Sequence, residues 1–352
     1  MITFLTTPVG RHTVLDYLAG PGRRRIGQLR ALTYQVALRR GPDQLMPGLY
    51  VFADLERLDE PDRQRARELW SRLAAASTRY VTLNEPDRVP TRLELLEALH
   101  ERGVNDFRAW PATASVPEHV RYPVFLRRGS DHAGPRGGLL HDRRMLEHAR
   151  ARVCQRNDAG DWLCCEWVDT QDPDGRYRKY GATVVGQRVV PRHLLVSEHW
   201  VVKTPEVTGV TEQAAERAYC AENPHAEQLL EIFGSLGIEY GRADYHVGHD
   251  GRVRIWEINT NPVLLPLKLD PASERTDLVV RAAEEIVDTL VRLSGEATRA
   301  PRLRISPMAR AELLARRRAN PWRASGATEA RAWQIALGVQ RRSQRRLGRW
   351  QH

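Results

Sequence analysis

In the first third of the chain, the hydrophobic positions alternate between the period of a strand and that of a helix. Short apolar runs at 47–55 and 79–86 predict strands. Residues 60–76 and 91–104 repeat their apolar positions at helical spacing, and so do residues 22–41. Because strand, helix, strand and helix follow one another with short connections, we expect an α/β unit with a parallel sheet.

From residue 121 onward the pattern is richer in strands. Strands are predicted at 122–128 and 161–170, as an antiparallel pair at 176–197 that turns near Gly186, and as a hairpin at 240–262. Helices are predicted at 139–152, 211–236 and 273–294. The polar, glycine-rich residues 129–138 predict a loop, and Asp250-Gly251 favours a tight hairpin turn. This alternation indicates an α+β region.

Three oxygen-bearing side chains converge in the predicted hairpin. Asp244 lies on its first strand, while Glu257 and Asn259 lie two residues apart on its second strand and share one face of the sheet. Pairing across the turn brings Asp244 close to Glu257. Hard oxygen ligands suit Mg²⁺ or Mn²⁺, and an incomplete shell leaves positions for phosphate oxygens and water. The pattern favours a metal–nucleotide site, and the alternative is a polar hairpin that faces solvent.

The stretch GRADYHVGHDGRVRIWEINTNP resembles the metal-binding hairpin of the ATP-grasp superfamily, which has the order Arg-x-Asp, then Glu-x-Asn-x-x-Pro. The matching residues are Arg242, Asp244, Glu257, Asn259 and Pro262. The resemblance implies that Asp244, Glu257 and Asn259 bind two Mg²⁺ (or Mn²⁺) ions that bridge the phosphates of ATP. It also implies that Arg242 is catalytic and stabilises charge on the transferred γ-phosphoryl group.

The resemblance extends upstream to YPVFLRRGSDHAGPRGG, which is similar to the strand and glycine loop that cover the triphosphate in this superfamily. That strand usually ends in a phosphate-contacting lysine, and here the position is Arg127, a permanent cation with a larger, forked head. A second phosphate-contacting base is often at the head of a helix, where this chain has Arg92. The alternatives are a solvated loop for the glycine segment and a surface position for Arg92.

The stretch LCCEWVDT resembles the adenine-binding hinge between the two ATP-grasp subdomains. The resemblance implies that backbone groups around Glu166, Trp167 and Val168 contact the adenine edge. An acidic residue beyond them would accept the ribose hydroxyls, and both Asp169 and Asp172 qualify. The alternative for Trp167 is a buried core residue.

Residues between the hinge and the hairpin usually meet the second substrate in this superfamily. Lys179, Arg192 and Lys203 are the candidates, because cations there suit a carboxylate or phosphate group. The alternative for each is a surface side chain. His246 and His249 flank the predicted turn, and we expect them to be exposed rather than to bind metal.

Charge is distributed unevenly along the chain. The formal net charge is +10, but residues 301–352 hold thirteen arginines against two acidic residues, a local charge of +11. The first 300 residues are therefore close to neutral, and only the tail is basic. We expect this tail to be a solvated helical appendage. The alternative is a contact with RNA, an anionic membrane or an acidic protein.

Composition excludes several classes of protein. A chain of 352 residues with 41% hydrophobic and 28% charged residues is neither disordered nor collagen-like. No apolar run approaches the ~18–20 residues of a membrane-spanning helix, and the N-terminus does not resemble a secretory signal. The four cysteines show no zinc-like spacing. We therefore expect a soluble, cytoplasmic protein.

These patterns divide the chain into three predicted parts. They are an N-terminal α/β domain at 1–115, an α+β ATP-grasp domain of two subdomains at 116–298 and a basic helical extension at 299–352. The resemblance implies an ATP-dependent carboxylate-amine ligase that activates an amino acid or peptide carboxylate as an acyl phosphate. A small-molecule kinase that phosphorylates a hydroxyl is the alternative, and a non-catalytic RNA- or membrane-binding protein is a third. The oligomeric state stays open, with a homodimer as one alternative because dimers are common among proteins that this chain resembles.

Overall fold

The computed structural model describes residues 1–40, 44–265, 273–295 and 307–318. Its strands are β1 (Ile2–Thr6), β2 (Leu29–Thr33), β3 (Gly48–Phe52), β4 (Tyr80–Leu83), β5 (Ala109–Pro111), β6 (Val124–Arg128), β7 (Pro135–Leu140), β8 (Trp162–Glu166), β9 (Tyr177–Val185), β10 (Arg188–Ser197), β11 (Tyr240–Val247) and β12 (Val253–Asn259). Its helices are α1 (His12–Ala19), α2 (Tyr34–Arg40), α3 (Glu60–Ala75), α4 (Arg92–Glu101), α5 (Arg143–Cys154), α6 (Val210–Glu222), α7 (Ala226–Leu236), α8 (Glu274–Ser294) and α9 (Pro307–Arg318).

These elements form two compact units. The first contains Met1–Asp54, Leu58–Pro86 and the described residues from Asn261 onward. The second contains Leu55–Arg57 and Asp87–Thr260. Compactness alone does not define a domain, so the domain boundaries expected from the sequence remain predictions.

The first unit is built on a parallel sheet with the strand order β2-β1-β3-β4. Helix α3 connects β3 to β4, and the carboxylate of Asp59 caps it by accepting a hydrogen bond from the Asp62 backbone N–H at 2.8 Å. Ala66, Leu69 and Leu73 lie one turn apart and are buried along a single stripe. The parallel α/β arrangement predicted from the sequence is confirmed.

Residues 22–41 do not form the helix that their spacing predicts. Their described part contains a 3₁₀ turn at Pro21–Arg25, strand β2 and helix α2. Gly27 has a φ of +94°, which interrupts a helix, and β2 then pairs with β1, with Leu29 opposite Ile2. Pairing in the sheet thus overrides the local apolar period.

The second unit contains two antiparallel sheets, the first in the order β5-β8-β6-β7. Its core includes Trp110, Val124, Leu126 and Cys164. The glycine-rich segment was expected to be a loop, but its second half belongs to β7, which pairs back on β6. Gly134, at a φ of +82°, lies immediately before β7, so the chain reverses there.

The second sheet has the order β10-β9-β11-β12, and all its neighbouring strands are antiparallel. The predicted turns at Gly186 and Gly251 are confirmed, and both glycines have positive φ angles, of 58° and 74°. The helix predicted at 211–236 is instead two helices, α6 and α7. Asn223 ends α6 in the left-handed conformation, with a φ of 49°.

Helix α9 is the described part of the predicted basic extension. It is tied to the first unit by ion pairs of 2.5 Å between Arg316 and Asp16 and of 2.9 Å between Arg11 and Glu312. The other residues of the extension, including 319–352, lie outside the described residues. Within the described ranges, no helix is long and apolar enough to cross a membrane.

Candidate functional site

A pocket in the second unit is lined by side chains from both of its sheets. Its volume is about 280 Å³. Eight residues singled out in the sequence line it: Arg127, Trp167, Val168, Lys179, Lys203, Arg242, Asp244 and Glu257. The fold therefore brings the predicted phosphate-contacting, hinge, substrate and metal-binding positions to one place.

The predicted hairpin supplies the carboxylates of this pocket. Asp244 on β11 lies directly opposite Glu257 on β12, and Arg242 lies opposite Asn259. A β-bulge follows Asp244, so the register shifts immediately after this pair. The carboxylate pairing that the sequence predicts is confirmed.

Asp244 is buried between two cations. Its carboxylate lies 3.2 Å from Lys179 Nζ and 2.9 Å from Arg242 Nε. Burial alone would raise the pKa of Asp244, but the charges of Arg242 and Lys179 outweigh it and lower the pKa to about 2. Asp244 is therefore ionised at neutral pH.

Glu257 is surrounded by three positively charged groups. Its carboxylate accepts a hydrogen bond from Arg127 Nη2 at 2.7 Å, lies 3.3 Å from Arg92 Nη2, and lies 3.1 Å from His132 Nδ1. Burial favours the neutral acid, but Arg92, His132 and Arg127 together hold the pKa of Glu257 well below its usual range. Arg92 does not line the pocket, yet it reaches the same carboxylate as Arg127.

His132 and Glu56 belong to this cluster, although the sequence did not point to either. His132 Nε2 lies 3.2 Å from Glu56, whose other oxygen accepts a hydrogen bond from Thr260 Oγ1 at 2.6 Å. Burial opposes protonation of His132, but its bonds to Glu257 and Glu56 raise its pKa. The only signal in the sequence was the position of His132 in the glycine-rich segment.

Lys203 reaches this segment from the far side of the pocket. Its Nζ donates to the backbone carbonyl of His132 at 3.0 Å and lies beside Gly134. A Cβ on Gly134 would approach that Nζ to 2.5 Å, so the lysine occupies space that the missing side chain leaves free. Lys203 thus links the segment to the residues that follow β10.

An aromatic wall completes the pocket. The ring of Trp200 lies 5.4 Å from that of Phe125 and meets the ring of Trp167 edge to face at 6.5 Å. These rings pack beside the apolar cluster that contains Phe107 and Cys165. The pocket therefore offers an apolar surface on one side and paired charges on the other, as expected for a ligand with an aromatic part and an anionic part.

The remaining predicted residues lie outside the lining of the pocket as described. The side chain of Glu166 bonds to Arg108 and Arg121, and Asp169 is exposed and accepts from the Gln171 backbone N–H at 3.0 Å. Arg192 is deeply buried, which lowers its pKa to about 10. Asn259 is buried on β12 opposite Arg242.

The expectation that His246 is exposed is wrong. His246 lies within β11 and not in the turn, and its ring stacks on that of Trp256 at 5.2 Å. Burial is the main cause that lowers its pKa to about 4, so the ring is neutral at pH 7. His249 is exposed, as predicted.

The oxygen donors of the pocket are few, but they fit a hard divalent cation. Within the described ranges, no three His, Cys, Asp or Glu side chains are grouped to hold a metal ion. Asp244 and Glu257 supply two carboxylates on the pocket wall, and the Asn259 amide is on the same strand as Glu257. Such oxygen ligands suit Mg²⁺ when phosphate oxygens and water complete its shell.

Comparison with known proteins finds no matching family model and no matching curated protein. Solved structures do match. L-amino acid ligase from Bacillus licheniformis is 12% identical, with a TM-score of 0.38 over 74% of this chain and 66% of that one. D-cycloserine synthetase DcsG is 15% identical, with a TM-score of 0.42 over 81% of this chain and all of that one.

The ATP-grasp ligase PsnB complexed with minimal precursor is also similar. It is 13% identical and has a TM-score of 0.43 over 82% of this chain and 99% of that one. PsnB belongs to the class that the sequence resemblance names. This chain spans just under two thirds of the Bacillus licheniformis ligase.

Proposed function

We propose that this protein is an ATP- and Mg²⁺-dependent ligase of the ATP-grasp type that joins a carboxylate to an amine. The observation that carries the proposal is the pairing of Asp244 with Glu257 in a pocket that also holds Arg127, Lys179 and Arg242. Two carboxylates for a divalent cation lie beside cations for phosphates. Phosphoryl transfer requires both, because its catalysis is mostly positioning and charge stabilisation.

Each group has a role in this proposal. Asp244, Glu257 and Asn259 would hold the Mg²⁺ ions, for which we propose two sites. Arg127 and Arg92 would contact the phosphates, and both are already directed at Glu257. When bound, the metal neutralises the triphosphate so that an anionic carboxylate can approach it.

The rest of the pocket suits the base and the transferred group. Trp167 and Val168 offer an apolar edge for adenine, and Trp200 packs beside them. Arg242 lies 2.9 Å from Asp244, where it would stabilise charge on the γ-phosphoryl group. Lys179 and Lys203 are the candidate contacts for a substrate carboxylate.

The proposed reaction has two steps. A substrate carboxylate oxygen attacks the γ-phosphorus, the bond to ADP breaks, and an acyl phosphate forms. The amine nitrogen then attacks the acyl carbon, phosphate leaves with the bonding electrons, and the nitrogen loses a proton. The resemblance of the hairpin to that of the ATP-grasp ligases makes amino acids and short peptides the substrates to test first.

Calorimetric titration of ATP with Mg²⁺ tests the proposal. We expect metal-dependent binding to the wild type and its loss in Glu257→Ala, after which amino acids and peptides are screened for release of ADP and free phosphate. A kinase would instead leave the phosphate on its substrate. Failure of both proteins to bind ATP with or without metal contradicts the proposal.

A further inference from the structure

Both carboxylates of the pocket are already neutralised by cations of the protein itself. Glu257 accepts from Arg127 at 2.7 Å and lies 3.3 Å from Arg92. Asp244 lies between Lys179 and Arg242, at 3.2 and 2.9 Å. Any divalent cation that takes these carboxylates must therefore displace at least some of the protein's own positive charges.

The two arginines on Glu257 depend on it. Their side chains are only 6% and 3% exposed, for Arg127 and Arg92 respectively. A charge buried this deeply is unfavourable unless it is paired. Arg127 Nε also has no hydrogen-bond partner among the described residues, so this guanidinium retains a free donor beside the pocket. Glu257 is therefore their main counter-ion, and a phosphate oxygen could replace it.

We infer that Asp244 and Glu257 are exchangeable internal counter-ions, which couple the binding of metal to the binding of nucleotide. A metal that takes the carboxylates alone leaves the arginines unpaired, and a triphosphate that takes the arginines alone leaves the carboxylates unpaired. Bound together, the two ligands replace both partners. Each ligand must then raise the affinity of the other by the same factor. This inference rests on the proposed function, because it takes the ligand to be a metal–nucleotide pair.

Glu257→Gln separates this role from simple metal binding. The amide keeps the shape of the side chain but removes the charge that holds Arg92 and Arg127. We expect ATP in the presence of EDTA to bind about 10-fold more tightly to this variant than to the wild type, within the range usual for coupled sites. A residue that only bound metal would leave metal-free binding unchanged, and a purely structural residue would weaken it.

Arg127→Gln tests the opposite side of the exchange without any nucleotide. Removing this cation takes away the shortest ion pair of Glu257, so Mn²⁺ alone should bind the variant about 10-fold more tightly than it binds the wild type. Asp250→Asn is the matched control for both variants. Asp250 is an exposed carboxylate on the turn of the same hairpin, and it pairs with Arg254 at 2.7 Å, away from the pocket lining.

The experiment is a calorimetric cycle on the full chain. Wild type, Glu257→Gln, Arg127→Gln and Asp250→Asn are each titrated with MnCl₂ alone, with ATP in EDTA and with ATP in excess Mg²⁺, and thermal unfolding confirms that each is folded. In the wild type, we expect Mg²⁺ to raise ATP affinity at least about 10-fold. In Glu257→Gln, we expect Mg²⁺ to leave the ATP affinity unchanged.

Three results would overturn the inference. They are equal ATP affinity of the wild type with and without metal, no gain in metal-free binding by a folded Glu257→Gln, and equal Mn²⁺ affinity of the wild type and Arg127→Gln. If no protein binds ATP, the proposed function fails, and the Mn²⁺ titrations still decide the counter-ion role. If both variants are unfolded, the wild-type titrations alone decide, since a coupling factor of one contradicts the inference.

Discussion

Two strands of the second unit each carry a buried glutamate whose carboxylate pairs with arginines. The groups that donate to the two carboxylates differ. At the end of β8, Glu166 accepts from the backbone N–H groups of Arg108 and Arg121, both at 3.0 Å, and from the Arg108 side chain. On β12, the carboxylate of Glu257 bonds to the side chains of Arg127 and His132. The first carboxylate is held by the main chain, and the second by groups that can turn away.

The kind of donor distinguishes a carboxylate of the framework from one of the pocket. Backbone donors cannot leave Glu166 without unfolding the strand ends, so its bonds contribute to the stability of the fold. Two partners of Glu257, Arg127 and His132, lie on a pocket wall, where they can exchange it for a ligand. A buried ion pair therefore does not by itself indicate a functional site. Side-chain donors that face a pocket do indicate one.

The largest expected effect comes from replacing Glu166, the carboxylate that the main chain holds. Glu166→Ala leaves the Arg108 and Arg121 backbone donors unpaired and should reduce the free energy of unfolding by about 3 kcal/mol. Urea denaturation measures this loss, and the folded fraction should bind Mg-ATP within about twofold of the wild type, as expected of a site that shares no partner with the mutation. If Glu166→Ala instead loses Mg-ATP binding and keeps its stability, Glu166 belongs to the binding site and not to the framework.

The next effect is on binding. Glu257→Ala should lose the gain in ATP affinity that Mg²⁺ gives the wild type, at least about 10-fold, because the charge exchanged between the metal and the arginines is gone. Calorimetry measures the affinity, with Asp250→Asn as the control that keeps wild-type affinity. Equal affinities of the two variants would place the metal elsewhere.

A smaller loss of ATP affinity should follow when Arg127 is replaced by another cation. Arg127→Lys keeps a positive group near Glu257 but loses the fork that spans two acceptors, so ATP affinity should fall about 10-fold. Arg127→Met should lower it further. If Arg127→Lys binds ATP more tightly than the wild type does, the role of Arg127 is not to bind phosphate.

The smallest effect concerns the glycine-rich segment. Gly134 and Gly137 both have positive φ angles, of 82° and 78°, but only Gly134 has a neighbour, Lys203 Nζ, where a Cβ would go. Gly134→Ala should therefore lower the unfolding free energy more than Gly137→Ala, by about 1 kcal/mol. Thermal unfolding measures the difference, which should vanish in a Lys203→Ala background. A difference that persists there would locate the clash elsewhere.

The sequence predicted much of the hairpin correctly, because its information is local. An Asp-Gly turn fixes the register, and residues two apart on a strand must share a face. These rules place Asp244 opposite Glu257 without any knowledge of the rest of the fold. The parallel sheet of the first unit is equally local, since β3, α3 and β4 follow directly along the chain.

The parts that could not be predicted depend on distant contacts. Glu56 and His132 lie 76 residues apart, and His132 lies 125 residues from Glu257, so no spacing rule connects them. The burial of His246 depends on stacking against Trp256 on the neighbouring strand. Strand β2 depends on β1, which overrides a helical period. In each case the deciding partner lies on another element.

The scarcity of lysine makes the pocket unusually easy to observe. Of the three lysines in the chain, Lys179 and Lys203 line the pocket wall, and the third, Lys268, lies outside the described residues. Reductive methylation with isotope-labelled formaldehyde would therefore give an NMR spectrum with very few side-chain signals. Two of them would report directly on the pocket, because Lys179 contacts Asp244 and Lys203 contacts the carbonyl of His132.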